Sequence, residues 1–284
     1  MGNHISRDGG NMKFKFLSVS LMVIAFSQSA FVFATDQQVV DGLKKARDSF
    51  SQRSKSNPAP IEDALATLAS LEGKADNVDL NYDVLILEAR ALYWKGAHTA
   101  NSHDRMEIHE QGRLKAEKAT QIDEGYADSY YFYGINLARW AEANGVIASL
   151  SRKGELMKAM NDAIEHEVKP AVGSEEMVPG TRIDGNGPNR VLGRLYFKLP
   201  GLFGGSQSES LRHLKKAYDE AKNVALNSVY YAETLNGGDR SERELAKKIL
   251  ADLLKENPAT YNADRTPETF EEFELAKQLL DQIK

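Results

Sequence analysis

The most aromatic helical stretch of the chain carries side chains that together suit a small-molecule site. Asn136, Arg139 and Trp140 recur three and four residues apart, which places an amide, a guanidinium and a large ring on one helix face. Tyr130 and Tyr133 add two further rings. A guanidinium binds a carboxylate through paired hydrogen bonds, and rings provide apolar wall. The alternative is that Trp140 belongs to the core and Arg139 pairs with a carboxylate of the protein.

A second helical stretch, framed by prolines and glycines, places three cations in a row. Arg190, Arg194 and Lys198 recur every four residues, beside an apolar stripe. A half-buried arginine must find an anion or a hydrogen-bonding partner. We therefore predict that Arg190 and Arg194 contribute to a ligand site, with Tyr196 and Phe203 as apolar wall. The alternative is a solvated row of charges, which is the usual environment of such a row.

The sequence lacks the patterns that mark catalysis, a cofactor or a metal. It has no cysteine, and it shows no nucleophile elbow or paired-carboxylate motif. The glycine-rich turn at 201–205 lacks the lysine and hydroxyl residue of a phosphate-binding loop. His98, His103 and His109 match no zinc-ligand spacing, so we interpret them as solvated. We predict no catalytic residue, cofactor or metal, and a hydrolase would need a site hidden in residues 169–187.

The first 34 residues are typical of a secretory signal peptide. Two lysines precede an apolar segment over residues 16–26, and residues 32–34 provide a small-residue cleavage site. The apolar segment is shorter than a membrane span, which needs about 20 apolar residues. We interpret Met12 as the true start, so that residues 1–11 precede the translated protein. The mature chain then begins at Thr35.

Composition limits the classes of protein to which the chain can belong. Of its 284 residues, 42% are apolar and 27% are charged, which suits one large helical domain. The net charge is −5, with 41 acidic and 36 basic residues. Nucleic acid is therefore not an expected partner, because its binding depends on neutralising phosphates. With no cysteine for lipid attachment, the chain is predicted to be periplasmic and soluble after cleavage.

Helical periodicity runs along almost the whole mature chain, and no convincing strand pattern interrupts it. The predicted helices include 126–145, 146–168, 228–236 and 241–255, and the last helix begins at Thr266. Ser206 with Glu209, and Ser241 with Glu244, have the spacing of capping boxes that begin helices. Residues 169–187 are rich in glycine and proline, so we interpret them as an insertion loop.

Four small residues indicate how the helices pack. Each is followed three residues later by a large apolar side chain, a spacing that lets two antiparallel helices approach closely. They are Ala89, Gly134, Gly193 and Ala232. The pattern predicts a single all-α domain over residues 35–284, built of TPR-like antiparallel helix hairpins in a superhelical or ring-like array. A generic helical bundle is the alternative, because the period of about 34 residues is not kept.

Two blocks of sequence resemble the T-component family (TatT) of TRAP-type transporters. The first block is GINLARW at 134–140. The second and more specific block combines Pro188 with LGR at 192–194, PG at 200–201 and GGS at 204–206. The resemblance implies a periplasmic or lipid-anchored TPR-like protein that works beside a periplasmic solute-binding protein, with homo-oligomers in some members. The chain departs from the family in lacking a lipidation cysteine.

The resemblance and the candidate residues lead to two hypotheses of function. The first is a non-enzymatic accessory of a TRAP-type uptake system, which scaffolds a solute-binding protein and holds a hydrophobic or carboxylate molecule. The second is a general TPR adaptor that binds peptides during cell-envelope assembly. An enclosed apolar pore ringed by aromatic side chains would favour the first hypothesis, and an open groove with polar walls would favour the second.

Overall fold

The computed structural model describes residues 35–170 and 178–283. Within these two ranges the chain forms thirteen helices and one pair of two-residue strands, so the fold is all-α as predicted. The helices are α1 (35–51), α2 (Ala59–Leu71), α3 (Val78–Ala97), α4 (Ser102–Ile122), α5 (Ala127–Asn144), α6 (Val146–Ser151), α7 (Lys153–Glu165), α8 (Gly187–Lys198), α9 (Gln207–Glu220), α10 (Ala225–Asn236), α11 (Arg240–Leu253), α12 (Pro258–Tyr261) and α13 (Thr266–Gln282). None of the helices in the described ranges is long and apolar enough to cross a membrane. The predicted signal peptide and the start at Met12 lie outside those ranges.

Side-chain caps determine where two of the C-terminal helices begin. Ser206 accepts a hydrogen bond from the N–H of Glu209 at the start of α9, which is half of the predicted capping box. The carboxylate of Glu209 binds Arg212 instead of returning to the cap. The second capping box lies two residues earlier than the one predicted from Ser241. Asp239 accepts the N–H of Glu242, and the carboxylate of Glu242 accepts the N–H of Asp239. An aspartate at the cap satisfies the free N–H groups of the first turn as well as a serine does.

The segment between α5 and α8 differs from the prediction in two ways. The predicted helix over 146–168 is divided into α6 and α7, and a strand, β1 (Glu167–Val168), follows them. β1 pairs antiparallel with β2 (Val178–Pro179), which the sequence did not predict because two residues show no alternation. A 3₁₀ turn (Gly180–Arg182) then leads towards α8. Residues 171–177 of the predicted insertion loop lie outside the described residues.

Helices α3 and α5 lie side by side and run in the same direction. The side-chain amide of Asn136 in α5 donates to the carbonyl of Ala89 in α3 over 3.2 Å. One turn further along both helices, the guanidinium of Arg139 lies 6.0 Å from the ring centre of Tyr93. Since these contacts advance together along both helices, the two helices are parallel.

Contacts between the starts of the helices show that α8 also runs in the same direction as α5 and α10. Arg190, near the start of α8, donates to the hydroxyl of Tyr131 near the start of α5. It also donates to the side chain of Asn227 near the start of α10. One turn further along α8, Arg194 pairs with Glu233 of α10 at 2.6 Å. Helices α3, α5, α8 and α10 therefore form a row with their N-termini at one end.

Helices α4, α7, α9 and α11 each pack against the inner helix that precedes them. Two of the predicted small residues lie at these contacts. Gly134 of α5 faces Met160 of α7, and a Cβ added to Gly193 of α8 would lie 2.5 Å from Cγ of Leu214 in α9. The prediction of close helix approach at Gly134 and Gly193 is confirmed, since neither contact leaves room for a side chain.

The last helix connects back to the beginning of the chain. Arg53, only 4% exposed and just after α1, donates to both carboxylate oxygens of Glu268 in α13 at 2.9 and 2.8 Å. It also donates to the carbonyl of Asp264. His98, just after α3, bonds to Glu271 of α13 at 3.0 Å. Because α13 also packs on α10, the inner helices close around a central space.

We expect that adding one methyl group at Gly193 destabilises the protein. Gly193→Ala should lower the free energy of unfolding by about 1–3 kcal/mol, because the Cβ would overpack the contact with Leu214. Thermal and denaturant unfolding measure this change.

Gly154→Ala is the matched control. Gly154 also lies in a helix, and no atom lies within 4 Å of its added Cβ. The control should be neutral or stabilising by up to about 1 kcal/mol, because alanine favours the helix. Equal effects of the two substitutions would contradict the close contact between α8 and α9 at Gly193.

Candidate ligand-binding site

The inner helices line a partly open cavity of about 820 Å³, a size typical of small-molecule sites. Side chains of α3, α5, α8, α10 and α13 line it. Its apolar lining includes Phe50, Trp94, Phe132, Ile135, Leu150, Leu195, Leu199 and Phe203. Along α5 the lining extends from Tyr131 to Gly145, which corresponds to a length of about 21 Å at 1.5 Å per residue. The cavity is therefore long enough for an extended molecule.

Helical spacing explains which side chains reach this cavity. On α5, Tyr131, Ile135, Ala138 and Glu142 recur three or four residues apart, and all four line the cavity. Residues at this spacing share one helix face. Gly134 lies on another face and contacts α7 instead. On α5, Gly134 therefore packs against the outer helix α7, while a different face of the helix lines the cavity. The helix thus lies between its outer partner and the cavity.

A buried charge cluster at one end of the cavity is centred on Asp184. The carboxylate of Asp184 accepts a hydrogen bond from the hydroxyl of Tyr131 at 2.6 Å. It also pairs with the guanidinium groups of Arg190 and Arg265. Arg265 pairs in addition with Glu272 at 2.7 Å. This cluster joins α5, α8 and α13 through side chains that are far apart in the sequence.

The backbone before α8 has an unusual conformation that serves this cluster. Asp184, Gly185 and Asn186 have φ of 48°, 61° and 59°, in the left-handed region that aspartate, asparagine and glycine tolerate best. The carbonyl groups of Asp184 and Gly185 accept hydrogen bonds from Arg190 at 3.0 and 3.2 Å. The turn therefore provides three of the acceptors that surround this arginine.

The electrostatics of the cluster keep its carboxylate charged. Burial alone would raise the pKa of Asp184, but the guanidinium groups of Arg265 and Arg190 outweigh burial and lower this pKa to about 2. Arg190 is only 4% exposed and also donates to Asn227 at 3.0 Å. Arg190 lines the cavity, but its donors bind the protein itself.

Two further arginines line the cavity and are also paired. Arg194 binds Glu233 at 2.6 Å and lies 4.3 Å from the ring centre of Tyr230. Arg139 binds Glu142 at 2.9 Å. These two pairs are partly open to the cavity. Both ion pairs therefore form polar parts of the cavity wall in which positive and negative charges largely cancel.

Arg90 of α3 differs from all of these arginines. It lines the cavity and is half-buried, with its guanidinium 4.9 Å from the ring centre of Phe50. Among residues 35–170 and 178–283, no side chain or backbone group forms a hydrogen bond or ion pair with it. Burial lowers the pKa of Arg90, because a desolvated charge lacks the compensation that an ion pair gives. An arginine nevertheless stays protonated, so this charge remains available to a ligand.

The structure brings four of the seven predicted site residues to the cavity. Arg139, Arg190, Arg194 and Phe203 line it. Of the predicted cationic row, Arg190 is buried, Arg194 is half-buried, and the side chain of Lys198 is 58% exposed. The row therefore passes from the protein interior to the surface along α8.

Asn136, Trp140 and Tyr196 lie elsewhere. Asn136 is fully buried and bonds to His109 and to the carbonyl of Ala89, so it connects helices. Trp140 lies 5.5 Å from the guanidinium of Arg152. Tyr196 stacks on a histidine of α9. Their place on the helix turns each of these three side chains towards a neighbouring helix.

Tyr130 and Tyr133, predicted as cavity wall, also lie outside the lining. The hydroxyl of Tyr130 donates to the backbone carbonyl of Glu124. The hydroxyl of Tyr133 donates to the carboxylate of Glu155 in α7. Both rings lie on the faces of α5 that meet the surrounding chain.

The prediction of solvated histidines is correct for His103 and wrong for the other two. The side chain of His103 is 70% exposed and pairs with Glu107. His109 is completely buried and bonds to Asn136 at 3.2 Å, and His98 stacks on Trp94 at 3.9 Å. Within the described ranges, no group of three or more histidine or acidic side chains is placed to hold a metal ion.

Sequence reasoning missed Arg90, Asp184 and Arg265. Arg90 has a visible signal, because it shares a helix face with Tyr93, Trp94 and Ala97. Asp184 and Arg265 are 81 residues apart in the chain. No local pattern could have shown their contact.

Comparison with known proteins identifies no relative of this chain. No family model matches the chain, and no curated protein matches it. The function is therefore argued from the cavity and its charges.

We expect stability to fall in mild acid because His109 must stay neutral in the folded state. Burial, followed by the charges of Arg139 and Arg105, lowers the pKa of His109 to about 4 from the ordinary value of 6.5. The unfolded chain therefore binds more protons between these two values, and stability is lost as the pH falls from 6.5 to 4. His109 should account for up to about 3 kcal/mol of this loss.

His109→Gln tests this origin of the acid sensitivity. Urea unfolding at several pH values should give a flatter pH dependence for this variant than for the wild type. His103→Gln is the matched control, because His103 is exposed, and it should leave the slope unchanged. Parallel wild-type and His109→Gln curves would contradict the assignment.

Proposed function

We propose that the protein is a non-enzymatic periplasmic accessory of a TRAP-type uptake system that holds a hydrophobic or carboxylate molecule. The observation that carries this proposal is the central cavity, closed by α13 and lined mostly by apolar and aromatic side chains. Charged side chains also line it, but most of them are paired with one another. An apolar wall with few free polar groups is the usual composition of a small-molecule site. The predominance of apolar and aromatic side chains in this wall favours ligand holding over peptide binding.

The packing of the helices supports a TPR-like interpretation. Each inner helix from α3 onwards is paired with an outer helix that follows it, and the inner helices run parallel to one another. TPR arrays repeat such two-helix units and use the inner helices as their binding surface. The resemblance at 134–140 and 188–206 falls on α5, α8 and the turn after α8.

The surface offers a place for a protein partner beside the cavity. Two large apolar side chains, Ile147 and Leu202, are 85% and 90% exposed. Each is close in sequence to a residue that lines the cavity, Leu150 and Phe203 respectively. Lys153 joins the two segments by donating to the carbonyl of Phe203. Exposed apolar side chains often mark interaction sites, and we assign these to the periplasmic solute-binding protein.

A second space favours the alternative function, a TPR adaptor that binds peptides. It measures about 780 Å³ and lies between α2, α3 and α4. Its walls carry charged side chains, including Glu62, Lys95 and Lys115, beside Leu65 and Leu114. Charged walls beside apolar side chains suit a peptide better than a small apolar molecule.

Native mass spectrometry of the protein purified from the periplasmic fraction tests the proposal. We expect the mature chain to carry a co-purified small molecule, and complexes with a solute-binding protein to appear in the same sample. Ala138 lines the central cavity and Ala66 lines the second space. Ala138→Trp should therefore weaken small-molecule binding, because its ring would occupy part of the cavity, whereas Ala66→Trp should leave binding unchanged.

The same pair of variants identifies the alternative. An empty wild-type protein that binds envelope peptides, and loses them in Ala66→Trp but not in Ala138→Trp, would contradict ligand holding. That result would establish the adaptor function.

A further inference from the structure

We propose that the occupant of the central cavity is a singly charged amphiphilic carboxylate and that Arg90 binds its acid group. This inference rests on the proposed ligand-holding function and names both the ligand class and the anchor. Arg90 lies on α3, outside the two stretches in which the sequence predicts site residues.

The first argument is the pairing of the other cations that line the cavity. In the described part of the chain, each of the other arginines in the lining has an acidic partner within ion-pair distance. The pairs are Arg139 with Glu142, Arg152 with Glu155, Arg190 with Asp184, Arg194 with Glu233, and Arg265 with Asp184 and Glu272. Lys198 is exposed and 3.9 Å from Glu233. In the described part of the chain, Arg90 is the one arginine of this lining that has no acidic partner and forms no hydrogen bond.

The second argument is the cost of leaving such a group without a partner. A half-buried guanidinium has lost much of its hydration, and an unpaired buried charge is unfavourable. The nearby acids offset the burial of Arg90 only in part, because Asp184 binds Arg190 and Arg265, and Glu268 binds Arg53. An anion that enters the cavity would supply the missing partner through paired hydrogen bonds.

The charge balance identifies the anion as a carboxylate. One free guanidinium balances one negative charge, which is the charge of a carboxylate at neutral pH. A phosphate monoester carries a charge of about −1.5 to −2 and would need a second free cation. Repulsion by Asp184 and Glu268, which line this end of the cavity, disfavours a doubly charged phosphate more than a singly charged carboxylate.

The shape of the cavity identifies the rest of the ligand as an apolar chain. From the level of Ile135 the lining continues along α5 through Ala138 to Gly145, about 15 Å at 1.5 Å per residue. Leu195 and Leu199 of α8 face the same space. An extended hydrocarbon would therefore lie along α5 and α8, with its acid group at Arg90.

Calorimetric titration with dodecanoate and with dodecanol, which share a chain and differ in head group, tests the assignment. Wild-type protein freed of any bound molecule should bind dodecanoate about tenfold to a hundredfold more tightly than dodecanol, the range given by one hydrogen-bonded charge. Arg90→Met keeps an apolar stem against Phe50 and removes the charge. It should bind the two compounds within about threefold of each other, while dodecanol binding stays at the wild-type level.

Arg212→Met is the matched control, because Arg212 lies on α9 outside the lining of the cavity and is paired with Glu209. It should keep the wild-type preference for the acid. Arg194→Met tests the competing anchor, because Arg194 lines the same cavity. Loss of that preference in Arg194→Met but not in Arg90→Met would overturn the assignment of the anchor. If Arg90→Met does not fold, Arg90→Gln is the variant used for the same comparison.

The wild-type measurements separate failure of this inference from failure of the proposed function. Equal binding of dodecanoate and dodecanol would overturn the inference and leave the apolar cavity as a ligand site. Tighter binding of dodecyl phosphate than of dodecanoate would overturn the carboxylate assignment. Binding of none of the three compounds would count against the proposed function itself.

Discussion

The ionised carboxylate of Asp184 is the constraint on which the inner part of the molecule depends. A carboxylate buried at this position would be neutral without partners, so it requires the two guanidinium groups that meet it. Those guanidinium groups come from α8 and from the turn before α13, and the hydroxyl of Tyr131 comes from α5. One charge therefore fixes the relative positions of three helices. The left-handed backbone at 184–186 is the local consequence, because it directs the carboxylate and two carbonyl groups towards Arg190.

The same constraint distinguishes arginines that are bound to acids of the protein from an arginine that is available to a ligand. Arg190 and Arg265 lie in the cavity wall, yet their terminal Nη groups bind Asp184, Glu272 and Asn227. Arg194 is held in the same way by Glu233. Arg90 is outside these pairs, so the capacity to bind an anion is concentrated at one residue. The closure of the helices around it makes that capacity selective, since only a molecule that fits the cavity reaches the guanidinium.

The sequence predicted the secondary structure better than it predicted the site. Helical periodicity and the small residues Gly134 and Gly193 depend on neighbours within one or two turns, so both could be identified without a structure. The site depends on which cations are paired, and the partners are distant in the chain. Arg194 and Glu233 are 39 residues apart, and Asp184 and Arg265 are 81 apart. A row of cations at helical spacing therefore shows which helix face is charged, but not which charge is free.

The errors at Asn136 and Trp140 have a related physical cause. Side chains three and four residues apart share a face that is broad enough to touch two neighbouring helices. Arg139 lies on the part of that face that meets the cavity, whereas Asn136 meets α3 and α4 through Ala89 and His109. Periodicity gives the face of a helix, and only the positions of the adjacent helices determine which part of that face is open.

Helix α13 holds the inner helices in one compact state that contains the cavity. The chain has no cysteine, so spin labels can be attached to two introduced cysteines, at Ser51 of α1 and Lys277 of α13, both of which are exposed. Pulsed electron paramagnetic resonance should then give a single narrow distance distribution between the labels. The distribution should broaden in Arg53→Met, which removes the ion pair with Glu268. A broad distribution in the otherwise wild-type protein, unchanged by Arg53→Met, would contradict the closed arrangement.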